Sequence, residues 1–300
     1  EAGCRGFHEK WADFSTHLNY RPIAYDSRPD FEAIAEHLRE LNREHETGWN
    51  RIFYLSIPPD LMATISELVG EVGLAEEGKE GGWSRLVVEK PFGRDYESAL
   101  ELDEILHRSF KEHQIFRIDH YLAKETVQNI LILRFANTLF EPLWNRKYID
   151  YVGMITAEKV GVEHRAGYYE QAGVLRDMFQ NHMLQLLALT AMEPPSQFES
   201  RMVQDEKVKV FRSLKSLVAQ NQEENLILGQ YVSGKVGGRK VPAYRDEPGV
   251  DDGSFIPTFA MLRVFIDNWR WRDVPFYLAS GKRLARKDTR ITIQFKNVPH

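Results

Sequence analysis

The sequence predicts two architectures in series: a parallel α/β region up to about residue 118, then an α+β region with a large, mostly antiparallel sheet. Three observations lead there. In the first region short apolar runs alternate with amphipathic stretches as strand, helix, strand, helix, strand, and strands separated by helices pair in parallel. After about residue 120 several runs alternate apolar and polar residues with period two, as antiparallel strands with one covered face do. The length, 300 residues and 34.9 kDa, suits two domains of ordinary size.

Taken in order, Ala33, Ile34, Leu38 and Leu41 recur at helical spacing within FEAIAEHLRELNRE, with charged residues between them marking a solvated face. RIFYLSIPP, a continuous apolar run closed by two prolines, predicts a buried strand. LMATISELVGEVG repeats the helical period, and LAEEGKEGGW reads as an exposed glycine-rich loop. RLVVEKPFG is a second short buried strand, SALELDEILHRSF an amphipathic helix and IFRID a third strand. In the second region ETVQNILILRFANTLFEPLW predicts a helix with apolar residues on more than one face. YVGMITAEKV alternates like a half-buried strand, and GVLRDMFQNHMLQLLALTAM is the longest helical run. LILGQYV, FAMLRVFIDN, PFYLAS and TRITIQF supply further strands, and SGKVGGRK reads as a hairpin or loop.

Composition excludes several classes. Hydrophobic residues at 43% and charged residues at 28% are the mix of a soluble globular protein, not of a collagen-like, disordered or disulfide-scaffold chain. With 39 Lys plus Arg against 44 Asp plus Glu, the net charge is −5 and the pI about 6.1. No global electrostatic attraction to nucleic acid or an anionic membrane follows, and neither is expected as a partner. No apolar run approaches the roughly 18 residues of a membrane span. Cys4, the single cysteine, leaves no intramolecular disulfide and fits a reducing compartment. The start, EAGCRGFHEK, is not a signal peptide. The chain begins with Glu rather than Met, so a trimmed or incomplete version of something longer is expected.

Four constellations carry candidate chemistry. RIDHYLAKE, residues 117–125, puts Asp119, His120, Tyr121 and Lys124 just after a strand end, where open α/β sheets form ligand crevices. On a helix His120 and Lys124 would share a face and could hold an anion; a strand end followed by a solvated helix start is the plainer reading. In the long helical run, Leu175, Met178, Phe179, Leu186 and Leu187 form an apolar stripe with His182 in line, where a satisfied core histidine is the commoner case. Asp177, five residues earlier, is too far round an α-helix for a dependable pair, so a carboxylate partner for His182 should come from elsewhere. Lys90, before Pro91 at a strand's carboxyl end, points to a ligand crevice or to a solvated turn. SGKRLARKD gathers Lys282, Arg283, Arg286 and Lys287 as a local anion site or a solvated loop. No metal site emerges: no H-x-x-x-H pair exists and one cysteine cannot build a thiolate site. G-x-S-x-G, G-x-x-x-x-G-K-[ST] and G-x-G-x-x-G patterns are absent as well.

Together these segments resemble the glucose-6-phosphate dehydrogenase family. RIDHYLAKE is similar to that family's RIDHYLGKE, with Ala123 in place of the usual glycine. EKPFGRD, FYLSIPP, GVLRDMFQNHMLQLLALTAMEPP, LGQY, IDNWRWRDVPFYLASGKRL and ITIQF follow the family's order and spacing, from about residue 20 to residue 300. The resemblance implies that residues 1–118 are the C-terminal part of a dinucleotide-binding, Rossmann-like domain. Residues 119–300 would then be a substrate-binding and catalytic α+β domain.

It also implies the reaction: oxidation of C1 of glucose 6-phosphate to 6-phosphogluconolactone with hydride transfer to NADP, feeding the pentose phosphate pathway. By motif, His182 would be the general base and Asp119 its orienting carboxylate. His120, Tyr121 and Lys124 would hold the phosphate, Glu158 and Asp177 the sugar hydroxyls. Lys282 and Lys287 match the basic pair near the substrate. Lys90 would lie between substrate and nicotinamide, with Pro91 cis. The chemistry suits these residue types. A histidine near neutrality can take the C1 hydroxyl proton, a buried aspartate can fix its tautomer, and a dianionic phosphate needs several cations or strong donors.

The family's opening G-x-x-G-D-L-type turn is not found, and its large sheet continues past ITIQF. A fragment is therefore expected, one that does not by itself reduce NADP. The full-length form would be a cytoplasmic homo-oligomer, dimer or tetramer. A non-catalytic sugar-phosphate-binding or regulatory remnant is the alternative, and the choice of NADP over NAD stays open.

Overall fold

The computed structural model describes residues 7–78, 82–216 and 222–298, so Cys4 and the 79–81 part of the glycine-rich loop lie outside the described residues. The chain divides into two compact units, Glu1–Ile118 and Asp119–His300. Among the described residues no helix is long and apolar enough to cross a membrane.

The first unit contains α1 (Phe7–Ser15), α2 (Arg28–His45), β1 (Arg51–Leu55), α3 (Met62–Glu71), β2 (Ser84–Val88), α4 (Tyr96–Ser109) and β3 (Ile115–Arg117). The strands pair in parallel in the order β1-β2-β3. Local chemistry sets the helix starts. Ser27 Oγ accepts the Asp30 N–H ahead of α2, and Asp95 and Ser98 form a reciprocal capping box at α4. Phe31, Ile65, Leu68, Leu86, Val88 and Leu106 make the core.

Two expectations need correction here. β1 is not fully buried: Ile52 is 63% exposed and Tyr54 55%, because alternate side chains of this outer strand turn to an uncovered face. Leu74 and Ala75 open the stretch read as an exposed loop, yet both are buried. Ser84 Oγ donates to the Leu74 carbonyl at 3.0 Å and Gln114 Nε2 to the Ala75 carbonyl at 2.9 Å, so this backbone is tied to the core.

The second unit contains α5 (Glu125–Phe135), β4 (Ile149–Ala157), α6 (Ala166–Val174), a π-helical stretch (Leu175–Met183), α7 (Leu184–Ala191), α8 (Ser200–Arg212) and α9 (Gln222–Asn225). β5 (Leu226–Gly229), β6 (Gly234–Val236), β7 (Arg239–Val241), β8 (Phe259–Phe265), β9 (Pro275–Gly281) and β10 (Asp288–Phe295) follow. The main sheet runs β10-β4-β9-β8-β5, antiparallel except between β4 and β9. Alternate residues Ala260, Leu262 and Val264 of β8 and Phe276 and Leu278 of β9 join Met178, Met183, Leu186 and Leu187 in one core. SGKVGGRK, read as a hairpin or loop, is a hairpin of β6 and β7, and its tip needs glycine because Gly237 and Gly238 both have positive φ, 59° and 79°.

Neither long helix runs as its apolar pattern suggests. α5 stops at Phe135, well short of Trp144: the Ala136 N–H makes the last helical bond, to the Ile132 carbonyl, and the Asn137 side-chain amide shares that carbonyl and donates to Leu133, where the Asn137 N–H would otherwise bond. The run from Gly173 is helical from Val174 to Ala191, and the break lies at its first residue. Gly173 has φ 57° and ψ 179°, and the Val174 N–H turns to the Pro257 carbonyl at 3.1 Å. Nine residues of π-helix then precede α7.

Candidate active site

The chain after β3 forms tight turns, which corrects the helical placement considered for His120 and Lys124. The Leu122 N–H donates to the Asp119 carbonyl and the Lys124 N–H to the Tyr121 carbonyl; α5 begins only at Glu125. Asp119 Oδ1 accepts the Tyr121 N–H at 2.9 Å, an Asx turn that holds the carboxylate over its own loop. Lys124 Nζ lies 3.2 Å from the Tyr121 ring centroid, a cation–π contact.

The π-helical stretch brings His182, 1% exposed, to this loop. His182 Nδ1 lies 2.5 Å from Asp119 Oδ1, so the carboxylate partner does come from elsewhere in the chain. Burial tends to raise the Asp119 carboxyl. The hydrogen bond and charge of His182, with the Tyr121 N–H, outweigh it and hold the carboxyl below its usual range. An ionised carboxylate only accepts, so Nδ1 carries a proton, and in the neutral form of the ring Nε2 is the nitrogen with the lone pair. The Tyr121 ring stacks on the imidazole at 4.0 Å and 17°, and the His120 ring meets it edge-on at 4.6 Å. Burial, and then the carboxylates of Glu158, Asp119 and Asp177, push the Tyr121 phenol up to about 12, leaving it a donor at neutral pH.

The π geometry also revises the α-helical argument about Asp177. Its hydrogen-bonded turn closes five residues on, which carries positions 177 and 182 round to nearly the same face. Asp177, 3% exposed, accepts from Tyr168 Oη at 3.3 Å and lies 4.0 Å from Lys282 Nζ. Lys282 Nζ pairs with Glu158 Oε2 at 2.5 Å. Backbone bonds fix that pair, from the Glu158 N–H to the Gly281 carbonyl and from the Leu284 N–H to the Glu158 carbonyl, both 2.9 Å. Burial and the Lys287 cation lower Lys124, with Glu158 and Asp119 opposing, and Lys287 itself is exposed.

The basic run of SGKRLARKD is therefore not one anion site. Lys282 is buried on carboxylates, Arg283 pairs with Glu247, and Arg286 is exposed beside Asp288. Lys90 belongs to the first unit, after β2, and its bond to Pro91 is cis. Tyr168 escaped the sequence reading, because its approach to Asp177 depends on the break at Gly173.

Asp119, His120 and His182 offer donor atoms within 4.8 Å of one another, a grouping that sequence spacing could not show. That is loose for zinc, whose tetrahedral ligand atoms sit about 3.3 Å apart, and Asp119 Oδ1 is already engaged by the imidazole. An acid–base pair fits these contacts better. The arrangement can take a proton at His182 Nε2, stabilise the resulting imidazolium through Asp119, and hold an anion and hydroxyl groups close by.

The family model for the NAD binding domain of glucose-6-phosphate dehydrogenase matches residues 3–129, and that for its C-terminal domain matches residues 131–300. Glucose-6-phosphate 1-dehydrogenase of Aggregatibacter actinomycetemcomitans is 50% identical over 287 residues, 96% of this chain and 58% of the relative. The Bacillus subtilis enzyme of that name is 43% identical with the same shares. A solved glucose-6-phosphate dehydrogenase in complex with its substrate glucose 6-phosphate superposes with a TM-score of 0.89 at 36% identity, covering 99% of this chain and 60% of that one. The Mycobacterium avium glucose-6-phosphate 1-dehydrogenase structure gives 0.82 at 34% identity, with the same coverage. The chain thus spans about three-fifths of the length of the relatives it matches.

Proposed function

The chain belongs to the glucose-6-phosphate dehydrogenase family, and from that membership we propose that the whole protein oxidises C1 of glucose 6-phosphate to 6-phosphogluconolactone with NADP. The observation that carries this reading is the buried His182–Asp119 pair, with Lys124 on the Tyr121 ring that stacks on the imidazole and a carboxylate–lysine cluster close by. His182 Nε2 takes the C1 hydroxyl proton, and the C1–O bond becomes the lactone carbonyl as the C1 hydrogen departs as hydride, with the C1–H bonding pair, to the dinucleotide acceptor. Asp119 keeps the imidazole in the right tautomer and stabilises the cation formed. Lys124, His120, Tyr121 and Lys287 hold the phosphate dianion; Glu158, Asp177 and Lys282 bond the ring hydroxyls.

The nicotinamide supplies a hydride acceptor when bound. At the carboxyl ends of β1 and β2, Lys90 is a cation such a cofactor could use. The described residues there do not make a pyrophosphate cradle. Pro58 and Pro59 ahead of α3 lack N–H groups, and Asp95 occupies the start of α4. The residue chemistry proposed here therefore rests on the second unit alone. A cytoplasmic, homo-oligomeric protein with NADP preferred over NAD completes the reading.

The test is the nicotinamide absorbance of the full-length protein with glucose 6-phosphate, with glucose, and with each dinucleotide. Reduction with the sugar phosphate and NADP is expected. Equal turnover of glucose would contradict the phosphate assignment, and no turnover with either dinucleotide would contradict the reaction.

A further inference from the structure

Lys282 ends its strand on Glu158, and the next residue adopts a backbone conformation that side-chain-bearing residues seldom use: Arg283 has φ 56°. This turn accompanies a parting of neighbouring side chains. Lys282 meets Glu158 and Asp177, whereas Arg283 enters a second polar knot. There Arg283 Nη2 donates to Glu247 Oε1 at 2.7 Å, and Tyr231 Oη donates to the same oxygen at 2.9 Å. The ion pair is 15% and 5% exposed. The Val162 N–H donates to Tyr231 Oη at 3.4 Å, and the Arg283 N–H to the Val160 carbonyl at 3.1 Å. Gly161 lies flat against the knot, since a Cβ there would come within 2.4 Å of Glu247 Oε1 and 2.6 Å of Arg283 Nε. The knot thus clasps two pieces of chain: the 158–162 loop that carries Glu158 and the strand end that carries Lys282.

We propose that Arg283, Glu247 and Tyr231 are positioning residues for the hydroxyl-binding end of the pocket. They lock the Lys282–Glu158 pair in one geometry and so set selectivity for the sugar ring, acting through that pair. The proposal rests on the sugar-phosphate reading of the site. Stability is a poor explanation for such a pair, because desolvation offsets most of the attraction and apolar replacements are often neutral. Apolar side chains cannot reproduce its directional hydrogen bonds.

The test compares full-length wild-type protein with Glu247→Gln, Arg283→Met and the pair Arg283→Met/Glu247→Leu, which removes both charges and guards against a variant that fails to fold. The first readout is the acetylation rate of Lys282 by peptide mass spectrometry, referred to exposed Lys287. The second is affinity for glucose 6-phosphate against inorganic phosphate. In the pair, Lys282 should label several-fold faster. Glucose 6-phosphate should bind about tenfold more weakly, or about 1.4 kcal/mol, with inorganic phosphate unchanged and the thermal midpoint close to wild type. Unchanged Lys282 shielding, or parallel weakening of both ligands, would overturn the proposal. Equal wild-type affinity for the two ligands would contradict the sugar reading instead, and the labelling ratio alone would then decide the positioning claim.

Discussion

Replacing Asp119 by Asn keeps the side chain's shape and removes its charge. Asp119 Oδ1 lies 2.5 Å from His182 Nδ1, and the two side chains are 11% and 1% exposed, so water screens the pair poorly. With charge centres about 4 Å apart and an effective dielectric of about 20, carboxylate and imidazolium attract by about 4 kcal/mol. The amide dipole recovers part of this, leaving about 2–4 kcal/mol less stabilisation of the imidazolium, roughly 30- to 1000-fold in rate. The amide can also donate to Nδ1, which moves the proton to Nε2 and removes the lone pair that receives the substrate proton. The assay is steady-state NADP reduction by the full-length variant, with a thermal melt beside it. kcat should fall by that factor while KM for the sugar phosphate stays within about threefold, because the lost interaction belongs to the transition state. Unaltered kcat with a normal melt would remove Asp119 from the mechanism.

Lys124→Ala should weaken glucose 6-phosphate binding by about 1.5–3 kcal/mol, roughly 10–150-fold, and leave glucose almost untouched; equal losses in a titration would assign Lys124 to the fold. Gly173→Ala should cost about 1–3 kcal/mol in denaturant unfolding, because φ 57° with ψ 179° is glycine territory and the break there leads into the His182 segment. Glu77 in the first unit should shape the acid limb of stability. Burial opposes its charge, but His113, the Ser84 N–H and Arg85 win and lower its pKa from 4.5 to about 2. A depressed carboxylate contributes stability that is present above about pH 4.5 and lost as pH falls through about 2. Glu77→Gln should therefore be less stable at neutral pH and converge with wild type near pH 2, as denaturant midpoints across that range would show.

Periodicity made much of the scaffold legible. FAMLRVFIDN and PFYLAS, read as strands, are β8 and β9, with Leu262 and Leu278 inside, and SGKVGGRK, read as a hairpin or loop, is a hairpin. It failed where one side-chain bond or one dihedral outranks pattern. The Asn137 amide ends α5, Gly173 sets where the second long helical run begins, and the π-helix after it changes the period under a stripe that reads as α-helical. In the site, local spacing argued only that a carboxylate for His182 comes from elsewhere; its assignment to Asp119 came from the family resemblance, 63 residues away in sequence. Arg283 looked like one cation of a basic run. Its partner Glu247 lies 36 residues earlier, so nothing local distinguishes it from exposed Arg286.

The central claim is that His182 is the base and not merely a core histidine. The most direct measurement is the single-turnover rate of nicotinamide reduction in full-length His182→Asn at saturating glucose 6-phosphate, with the sugar-phosphate Kd determined on the same preparation. The account predicts a rate at least about 10²-fold lower with Kd changed little. A rate near wild type, or a loss that resides wholly in Kd, would contradict it.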